Sequence, residues 1–216
     1  MKTIDYDIAK FNFPKIVGEY LQCNDLSLIH ESKDFSYFNK FKRENDQSTH
    51  YHKKFYTLAR TDHFLELYNT FIEEVIKKEY GCNVVYQKIP TFRMQFPNNI
   101  AVGEYHRDRD YRNGEWASKV QEMNFFLPIT KAYNSNTIWV ESEEGKEDFS
   151  PMNCNPGQTI MWDGSNLLHG NKENVEPHTR VSMDFRVIKK ENYIPSDKGS
   201  INTNTKFCIG GYYSEV

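Results

Sequence analysis

The sequence lacks paired cysteines and long apolar runs. Its cysteines, Cys23, Cys82, Cys154 and Cys208, form no CxxC pair, which argues against a zinc ribbon and against a secreted disulfide framework. No stretch approaches the ~18 apolar residues of a membrane span, and the first residues contain no apolar run of signal length. We therefore expect a cytoplasmic protein with no membrane partner.

The sequence also lacks an excess of basic residues. Its formal net charge is −3, so no basic field favours nucleic acid as a partner. The GxSxG, P-loop and GxGxxG motifs are absent as well. Hydrolase, NTPase and nicotinamide-dependent functions therefore have no supporting motif.

The first part of the chain has helical character. In TDHFLELYNTFIEEVIKKEYG, apolar residues recur every three or four positions, which predicts a helix that starts at Thr61 or Asp62 and stops at Gly81. An earlier helix is predicted from Phe13 to about Cys23. The polar and aromatic segment between the two helices is compatible with a loop or with an irregular helix.

After residue 81 the pattern changes to short β-type runs. They are NVVYQKI, TFRMQF, AVGEYHRD, VQEMNFFLPI, NTIWVES, QTIMWDG and RVSMDFRVI. Turn-forming clusters separate them, and seven such strands predict an all-β sandwich or barrel. We expect one domain over 1–216, with a helical layer over 1–81, a β-core over 82–190 and a tail over 191–216 that packs back on the core.

The last of these strands alternates in polarity. One face carries polar residues: Arg180, Ser182, Asp184 and Arg186. The other face carries apolar residues: Val181, Met183, Phe185 and Val187. Burying four polar groups is costly unless they bind one another or a ligand. The alternation therefore predicts that the apolar face packs on the helices and that the polar face lines a cavity.

The stretch EYHRDRDY, residues 104–111, contains a candidate metal-binding pair. In a strand, His106 and Asp108 share one face and can chelate one cation, although HxD alone is weak evidence because it occurs by chance. His169, after the strand and turn of QTIMWDGSN, is a candidate third ligand. Two histidines and one carboxylate form the facial triad of non-haem Fe(II) oxygenases.

Taken together, these motifs resemble a known superfamily. His106-x-Asp108, His169 and Arg180-x-Ser182 resemble the Fe(II)/2-oxoglutarate-dependent oxygenases. YHRD, NPGQTIMWDGSNLLHG, TRVSMDFRV and the closing GGYY are similar to the phytanoyl-CoA-dioxygenase-like branch and its streptomycin-biosynthesis hydroxylase-like members. The likeness spans residues 92–213. It implies a mainly β protein with N-terminal helices and a double-stranded β-helix (jelly-roll, cupin-like) core.

The resemblance also implies the cofactors and their ligands. Fe(II) would be held, as the catalytic centre, by His106, Asp108 and His169. The distal carboxylate of the co-substrate 2-oxoglutarate would meet the planar guanidinium of Arg180 and the hydroxyl of Ser182. For Asn124, in QEMNFFLPI, two interpretations stay open: it lines the cavity near this co-substrate, or it is a structural amide. The implied reaction consumes O2, releases succinate and CO2, and hydroxylates a substrate.

The resemblance favours a small, polar substrate, such as a sugar, an amino-sugar or a natural-product intermediate. A cavity lined by Arg, Gln, Asn and Asp suits such a molecule. Because related halogenases carry Gly or Ala at the position of Asp108, we expect hydroxylation, desaturation or ring formation and not chlorination. Two alternatives remain open: hydroxylation of a protein side chain, and a cupin-like metal- or sugar-binding module without redox chemistry.

Further residues are candidates for contact with the substrate or the metal ligands: Arg93, Gln95, Asp110, Arg109 and Arg186. Arg93 and Gln95 share one strand face, which lines either the cavity or solvent. Asp110 is in register with His106 and Asp108, so it either contacts the metal ligands or the substrate, or forms a salt bridge with a nearby arginine. Arg109 either binds an anionic substrate group or is solvated. Arg186 is an alternative to Arg180 as the residue that binds the distal carboxylate of the co-substrate, and Arg180 is preferred.

Two other pairs have competing interpretations. His50 and His52 would share a face if their segment were extended, which makes them a rival metal pair, and otherwise they are surface residues. Trp139 and Trp162 lie on β-type runs. For both tryptophans we expect a place in the core and not a role as substrate platform.

Overall fold

The computed structural model describes residues 1–32, 49–101, 104–111, 116, 119–199 and 205–216. Residues 33–48, which belong to the segment between the two predicted helices, lie outside the described residues. Within the described ranges, no helix is both long enough and apolar enough to cross a membrane.

Four α-helices lie within residues 13–32 and 49–80. Their bounds are α1 Phe13–Leu21, α2 His50–Leu58, α3 Asp62–Phe71 and α4 Lys78–Tyr80. A π-helical stretch, Ile72–Lys77, joins α3 to α4, so that one continuous helix runs to Gly81. The side chain of Thr61 caps its start, and Gly81 ends it at a φ of 65°, a conformation that glycine adopts without strain. The two predicted helices are confirmed.

Two antiparallel sheets form the β-core. The strands of the larger sheet are β1 Lys2–Asp5, β2 Val84–Gln87, β3 Thr91–Gln95, β4 Met123–Pro128, β7 Gln158–Trp162, β9 Arg180–Lys189 and β10 Tyr213–Glu215. The strands of the smaller sheet are β5 Ile138–Val140, β6 Ser150–Pro151 and β8 His169–Asn171. The order is β1-β7-β4-β9-β2-β10 in the larger sheet, with β3 also paired to β9, and β6-β5-β8 in the smaller one. The mainly β class with a few helices is confirmed.

The long strand β9 is the centre of the larger sheet. One of its edges pairs with β4, and the other is shared by β3 and β2. The register places polar residues of neighbouring strands opposite one another: Gln95 and Arg180, Arg93 and Ser182, Asn124 and Arg186. Since residues opposite each other in a sheet point to the same side, this register gathers polar side chains on one face.

The other face of β9 packs on the helices. Phe185 is fully buried, and its ring stacks on Phe125 at 5.1 Å and meets the edges of Tyr68 and Phe71 at 5.6 and 6.3 Å. Arg180, on the opposite face, is directed away from this aromatic cluster and is also buried. The predicted alternation along the strand is confirmed, and it separates an apolar helical interface from a polar interior.

Three expectations about the fold need correction. The segment before residue 81 is not purely helical, because β1 adds a strand to the edge of the larger sheet beside β7. AVGEYHRD does not form the predicted strand in its described residues, where His106 makes only an isolated bridge. Trp162 is buried between the sheets, as expected, but Trp139 is only half-buried and has the ammonium of Lys172 over its ring.

The tail contributes the edge strand β10, which pairs with β2. Tyr213 is fully buried, and its hydroxyl donates a hydrogen bond of 2.5 Å to the carboxylate of Glu122. Phe207 and Tyr212 pack against the same tyrosine. These contacts fix the tail to the larger sheet and to Glu122, the residue before β4.

Candidate metal centre

Side chains from two distant segments of the chain converge on one point of the polar interior. Each of His106, Asp108 and His169 offers a ligand atom, and these atoms lie within 4.8 Å of one another. The Nε2 atoms of the two histidines are 3.6 and 3.8 Å from Oδ1 of Asp108. Among the described residues, this is the single group of three or more His, Cys, Asp or Glu side chains with metal-binding spacing.

Backbone pairing brings the two histidines together. The N–H of each donates to the carbonyl of the other, at 2.9 and 3.0 Å, and their rings lie 4.4 Å apart. Asp108 does not continue this pairing, because it begins a 3-10 helix, Asp108–Tyr111. Its N–H donates instead to the carbonyl of Gly164. The expected meeting of ligands is found, but the shared strand face predicted as its cause is wrong.

Backbone carbonyls orient both imidazoles. Nδ1 of His106 lies 2.9 Å from the carbonyl of Glu104, and Nδ1 of His169 lies 2.9 Å from that of Leu167. Because a carbonyl only accepts hydrogen bonds, Nδ1 carries the proton in both rings. The lone pair of each Nε2 then faces the carboxylate and is available to a cation.

The environment keeps His169 neutral. Burial lowers its pKa to about 4, against the opposing effect of Asp108, and the ring of Trp162 packs edge-on against it at 4.5 Å. Burial also disfavours the charged form of His106, but Asp108 and the carbonyl of Glu104 stabilise that charged form and raise its pKa overall. A neutral imidazole is the form that binds metal ions.

The two oxygens of Asp108 have different surroundings. Oδ1 faces the histidines, whereas Oδ2 accepts hydrogen bonds from Nδ2 of Asn124 at 2.8 Å and from Nη2 and Nε of Arg186 at 2.8 and 3.2 Å. Arg186 also contacts Asp184 and Gln87. The carboxylate is thereby held with one oxygen directed at the histidine pair.

At the start of β9, Arg180 and Ser182 present buried polar atoms to the same interior. Each residue is 1% exposed, and Nε and Nη1 of Arg180 and Oγ of Ser182 have no hydrogen-bond partner among the described residues. Burial, with the nearby charge of Arg93, lowers the pKa of Arg180 to about 9. Buried donors are nearly always paired in native proteins, so this pair fits an acidic ligand.

The strand beside them carries Arg93 and Gln95. Gln95 is fully buried, and its Nε2 donates to the carbonyl of Lys172 at 2.7 Å, while its Oε1 has no partner among the described residues. Nε of Arg93 lies 3.4 Å from Oδ1 of Asp184. Both side chains face the polar interior and not bulk solvent.

Arg109 and Asp110 lie outside the metal cluster. The guanidinium of Arg109 binds Oδ1 of Asn166 at 2.9 Å and the carboxylate of Glu144. Asp110 is exposed and accepts a hydrogen bond of 3.3 Å from the N–H of Arg107. The predicted register of Asp110 with Asp108 is wrong, because both belong to the 3-10 helix and not to a strand.

The rival pair His50 and His52 is not a metal site. Both lie at the start of α2, and residues two apart on a helix do not face each other. His52 is buried against Phe92, with Nδ1 2.6 Å from the hydroxyl of Thr49. Burial, with the charge of Arg93, lowers its pKa to about 3, so it is a neutral core residue.

Gly164 is a site residue that sequence reasoning missed. A Cβ atom at this position would lie 2.4 Å from Nδ2 of Asn124, and the carbonyl of Gly164 accepts the hydrogen bond from the N–H of Asp108. In the sequence, the glycine of WDGSN indicates only a turn. Its importance lies in the close approach of Asn124, which becomes visible only when β4 and β7 are paired.

We expect Gly164→Ala to weaken metal binding, because the new methyl group displaces the amide that holds Oδ2 of Asp108. The loss should be roughly tenfold, as for other partners of metal ligands. Titration of the purified protein with Co(II), followed by its visible absorption, measures the affinity. Ser165→Ala, one residue further along the same turn, adds no atoms and should bind Co(II) like the wild type; equal affinities for all three proteins would contradict the expectation.

No protein-family model matches the chain. Weak likenesses exist to solved structures: the nickel complex of the non-heme monooxygenase ThoJ has a TM-score of 0.49 and 10% identity over 86% of this chain and 71% of that one. EctD from S. alaskensis with bound Fe has a TM-score of 0.45 and 13% identity over 87% and 72%. Likenesses of this strength imply neither a shared substrate nor a shared reaction.

A curated relative gives a much stronger match. The streptomycin biosynthesis protein StrG of Streptomyces griseus is 35% identical over 211 residues, which cover 98% of this chain and 96% of StrG. The similarity thus extends over the N-terminal helices as well as over the metal cluster. The chain therefore belongs to the family of the streptomycin biosynthesis protein StrG.

Proposed function

We propose that this protein is an Fe(II)- and 2-oxoglutarate-dependent dioxygenase that hydroxylates a small polar metabolite and releases succinate and CO2. One observation carries the proposal. The same face of β9 supports the metal cluster through Arg186 and presents Nε and Nη1 of Arg180, which are buried and have no hydrogen-bond partner among the described residues. A metal centre beside an anion-binding group is what an iron enzyme with a dicarboxylate co-substrate requires. We further propose that the two antiparallel sheets correspond to a double-stranded β-helix.

The donor set fits ferrous iron. Two neutral imidazoles and one carboxylate oxygen suit Fe(II), and three protein ligands on one side leave positions for co-substrate and oxygen. His106, Asp108 and His169 would supply these donors. The carboxylate ligand supports hydroxylation, desaturation or ring formation over chlorination, because its oxygen takes the place that a halide would need.

The polar groups of β9 fit 2-oxoglutarate. A guanidinium binds a carboxylate through parallel charge-assisted hydrogen bonds, and Arg180 has two buried donors without a partner among the described residues. The hydroxyl of Ser182 adds a further donor two residues away on the same face. Because Asn124 donates a hydrogen bond to Asp108, its main proposed role is to orient that metal ligand, and contact with the co-substrate is a secondary role.

When bound, iron, 2-oxoglutarate and O2 supply an oxidant that can hydroxylate a C–H bond. The protein's own contribution is to hold and orient. Arg186 and Asn124 fix the carboxylate of Asp108, and the carbonyl of Leu167 with the ring of Trp162 fixes His169. Burial of these groups limits the access of water and strengthens the electrostatic interactions among them.

A polar metabolite is the substrate class that we favour. Arg93 and Gln95 line the interior beside the proposed co-substrate site, and hydrogen-bonding groups of this kind suit a hydroxyl-rich molecule. The relative StrG is named for streptomycin biosynthesis, which supports an amino-sugar or another natural-product intermediate. There are two alternatives: hydroxylation of a protein side chain, and metal or sugar binding without redox chemistry. The binding function without redox chemistry would leave Arg180 and Ser182 without a role.

Anaerobic addition of Fe(II) and 2-oxoglutarate should produce a weak visible charge-transfer band. In His169→Ala the band should be lost, because one of the three proposed ligands is missing. Absorption spectroscopy in an anaerobic cell measures it. His63→Ala, at an exposed position outside the cluster, is the control and should keep the band. A wild-type protein without a band would contradict the proposed function.

We expect Arg180→Ala to weaken 2-oxoglutarate binding roughly 100-fold, because truncating one side of a buried charge pair costs several kcal/mol. Iron affinity should change little, since Arg180 does not contact the metal cluster. Titration of the Fe(II)-loaded protein with 2-oxoglutarate gives the dissociation constant. Arg60→Ala, at an exposed position on the helical side, should leave it unchanged. An unaltered constant in Arg180→Ala would show that another group binds the carboxylate.

The substrate class can be tested by succinate release. The wild-type enzyme, supplied with Fe(II), 2-oxoglutarate and O2, should release succinate faster with sugars, amino-sugars or natural-product precursors than with none. Mass spectrometry should then find a product heavier by one oxygen atom, or lighter by two hydrogens if desaturation or ring formation occurs. Stimulation by peptides alone would reject the metabolite and favour a protein target.

A further inference from the structure

A buried carboxylate outside the metal cluster links its separate parts. Glu141 directly follows β5, and its side chain is 0% exposed. Its Oε2 accepts hydrogen bonds from the N–H groups of Gly145 and Glu147 at 2.9 and 3.2 Å. One oxygen of this carboxylate therefore closes the turn that follows the strand.

The other oxygen of Glu141 binds the two segments that carry the metal ligands. Oε1 accepts hydrogen bonds from the N–H of Leu168 at 2.6 Å and from Nη2 of Arg107 at 3.1 Å. Leu168 directly precedes His169, and Arg107 lies between the other two ligands. A single atom thus joins the distal histidine segment to the HxD segment.

Two additional hydrogen bonds reinforce this junction. The N–H of Glu141 donates to the carbonyl of Leu168 at 3.1 Å, and Nε of Arg107 donates to the carbonyl of Asn166 at 2.8 Å. The guanidinium of Arg107 therefore bridges the turn before His169 and the carboxylate.

The charge on Glu141 is what holds these donors. A buried carboxylate is tolerated only when hydrogen bonds and an ion pair replace water, and here three N–H groups and one guanidinium do so. Although burial opposes ionisation, these hydrogen bonds and Arg107 lower the pKa of Glu141 overall. An uncharged amide could not accept all four hydrogen bonds, because its NH2 group would face N–H donors.

We propose that Glu141 is a positioning residue that sets the distance between the HxD segment and His169, and so determines how tightly the cluster binds its metal ion. The inference rests on the proposed function, since it concerns the same metal site. Among the described residues, Glu141 forms no hydrogen bond or ion pair with the side chain of a proposed metal ligand, and it acts through Arg107 and Leu168.

The neighbouring Glu144 provides a matched control. It lies in the same turn and forms an ion pair with Arg109, but its side chain is 50% exposed and it does not contact Leu168 or Arg107. Exposed ion pairs contribute little to stability. Replacing either glutamate by glutamine removes the same charge from the same turn, so that only the junction differs.

The test compares Glu141→Gln and Glu144→Gln in the full chain. Anaerobic titration with Fe(II) should give a dissociation constant about tenfold higher for Glu141→Gln, as for other indirect partners of metal ligands, and an unchanged one for Glu144→Gln. The charge-transfer band of the Fe(II) and 2-oxoglutarate complex should also shift in Glu141→Gln, because the histidine and carboxylate donors no longer sit at the same spacing.

Thermal unfolding of the metal-free proteins separates positioning from stability. If Glu141→Gln melts earlier but binds Fe(II) as tightly as the wild type, the residue is merely structural and the inference is overturned. An equal loss of affinity in Glu144→Gln would overturn it as well, since the turn charge and not the junction would be responsible. A wild-type protein that binds no Fe(II) would instead reject the proposed function.

Should Glu141→Gln not fold, Arg107→Met tests the same junction from its other side. This variant leaves the backbone contact between Glu141 and Leu168 in place and removes only the link to the HxD segment. We expect Fe(II) binding to weaken by about tenfold. Wild-type affinity in Arg107→Met would overturn the inference.

Discussion

The hydrogen bonds between Arg186, Asn124 and Oδ2 of Asp108 are the interaction on which the metal centre depends. A buried carboxylate needs compensating donors, and these two side chains supply them from adjacent strands of the larger sheet. Because they occupy one oxygen, the other is left to face the two histidines. The register of β4 and β9, which places Asn124 opposite Arg186, therefore determines which oxygen of Asp108 faces the histidines.

This arrangement couples the centre to the rest of the fold. Arg186 also reaches Gln87 on β2, and Gln87 is paired with Tyr213 of the edge strand β10. On the opposite side of β9, aromatic residues of α3 pack against Phe185 and hold the strand flat against the helices. The C-terminal tail and the N-terminal helices thus support the metal centre from two sides, although neither contributes a ligand.

Sequence patterns predicted the parts of the site that follow from local chemistry. The alternation along β9, the helix ending at Gly81 and the meeting of the three metal ligands all agree with the structure. Patterns failed where tertiary contacts decide the outcome. Residues 108–111 form a 3-10 helix because the N–H of Asp108 bonds across to Gly164 and not to a neighbouring strand. Gly164 and Glu141 were missed because only folding brings their partners beside them.

The placement of both arginines on β9 has a consequence for how this family can change. Arg180 and Arg186 are an even number of residues apart, so they point to the same side of the sheet. Inserting or deleting one residue between them would turn one guanidinium toward the aromatic helices. A two-residue insertion would keep both guanidinium groups on the same side of the sheet but would lengthen the distance between them by about 7 Å. Natural variation in length is thus expected in the loops around this strand and never within it.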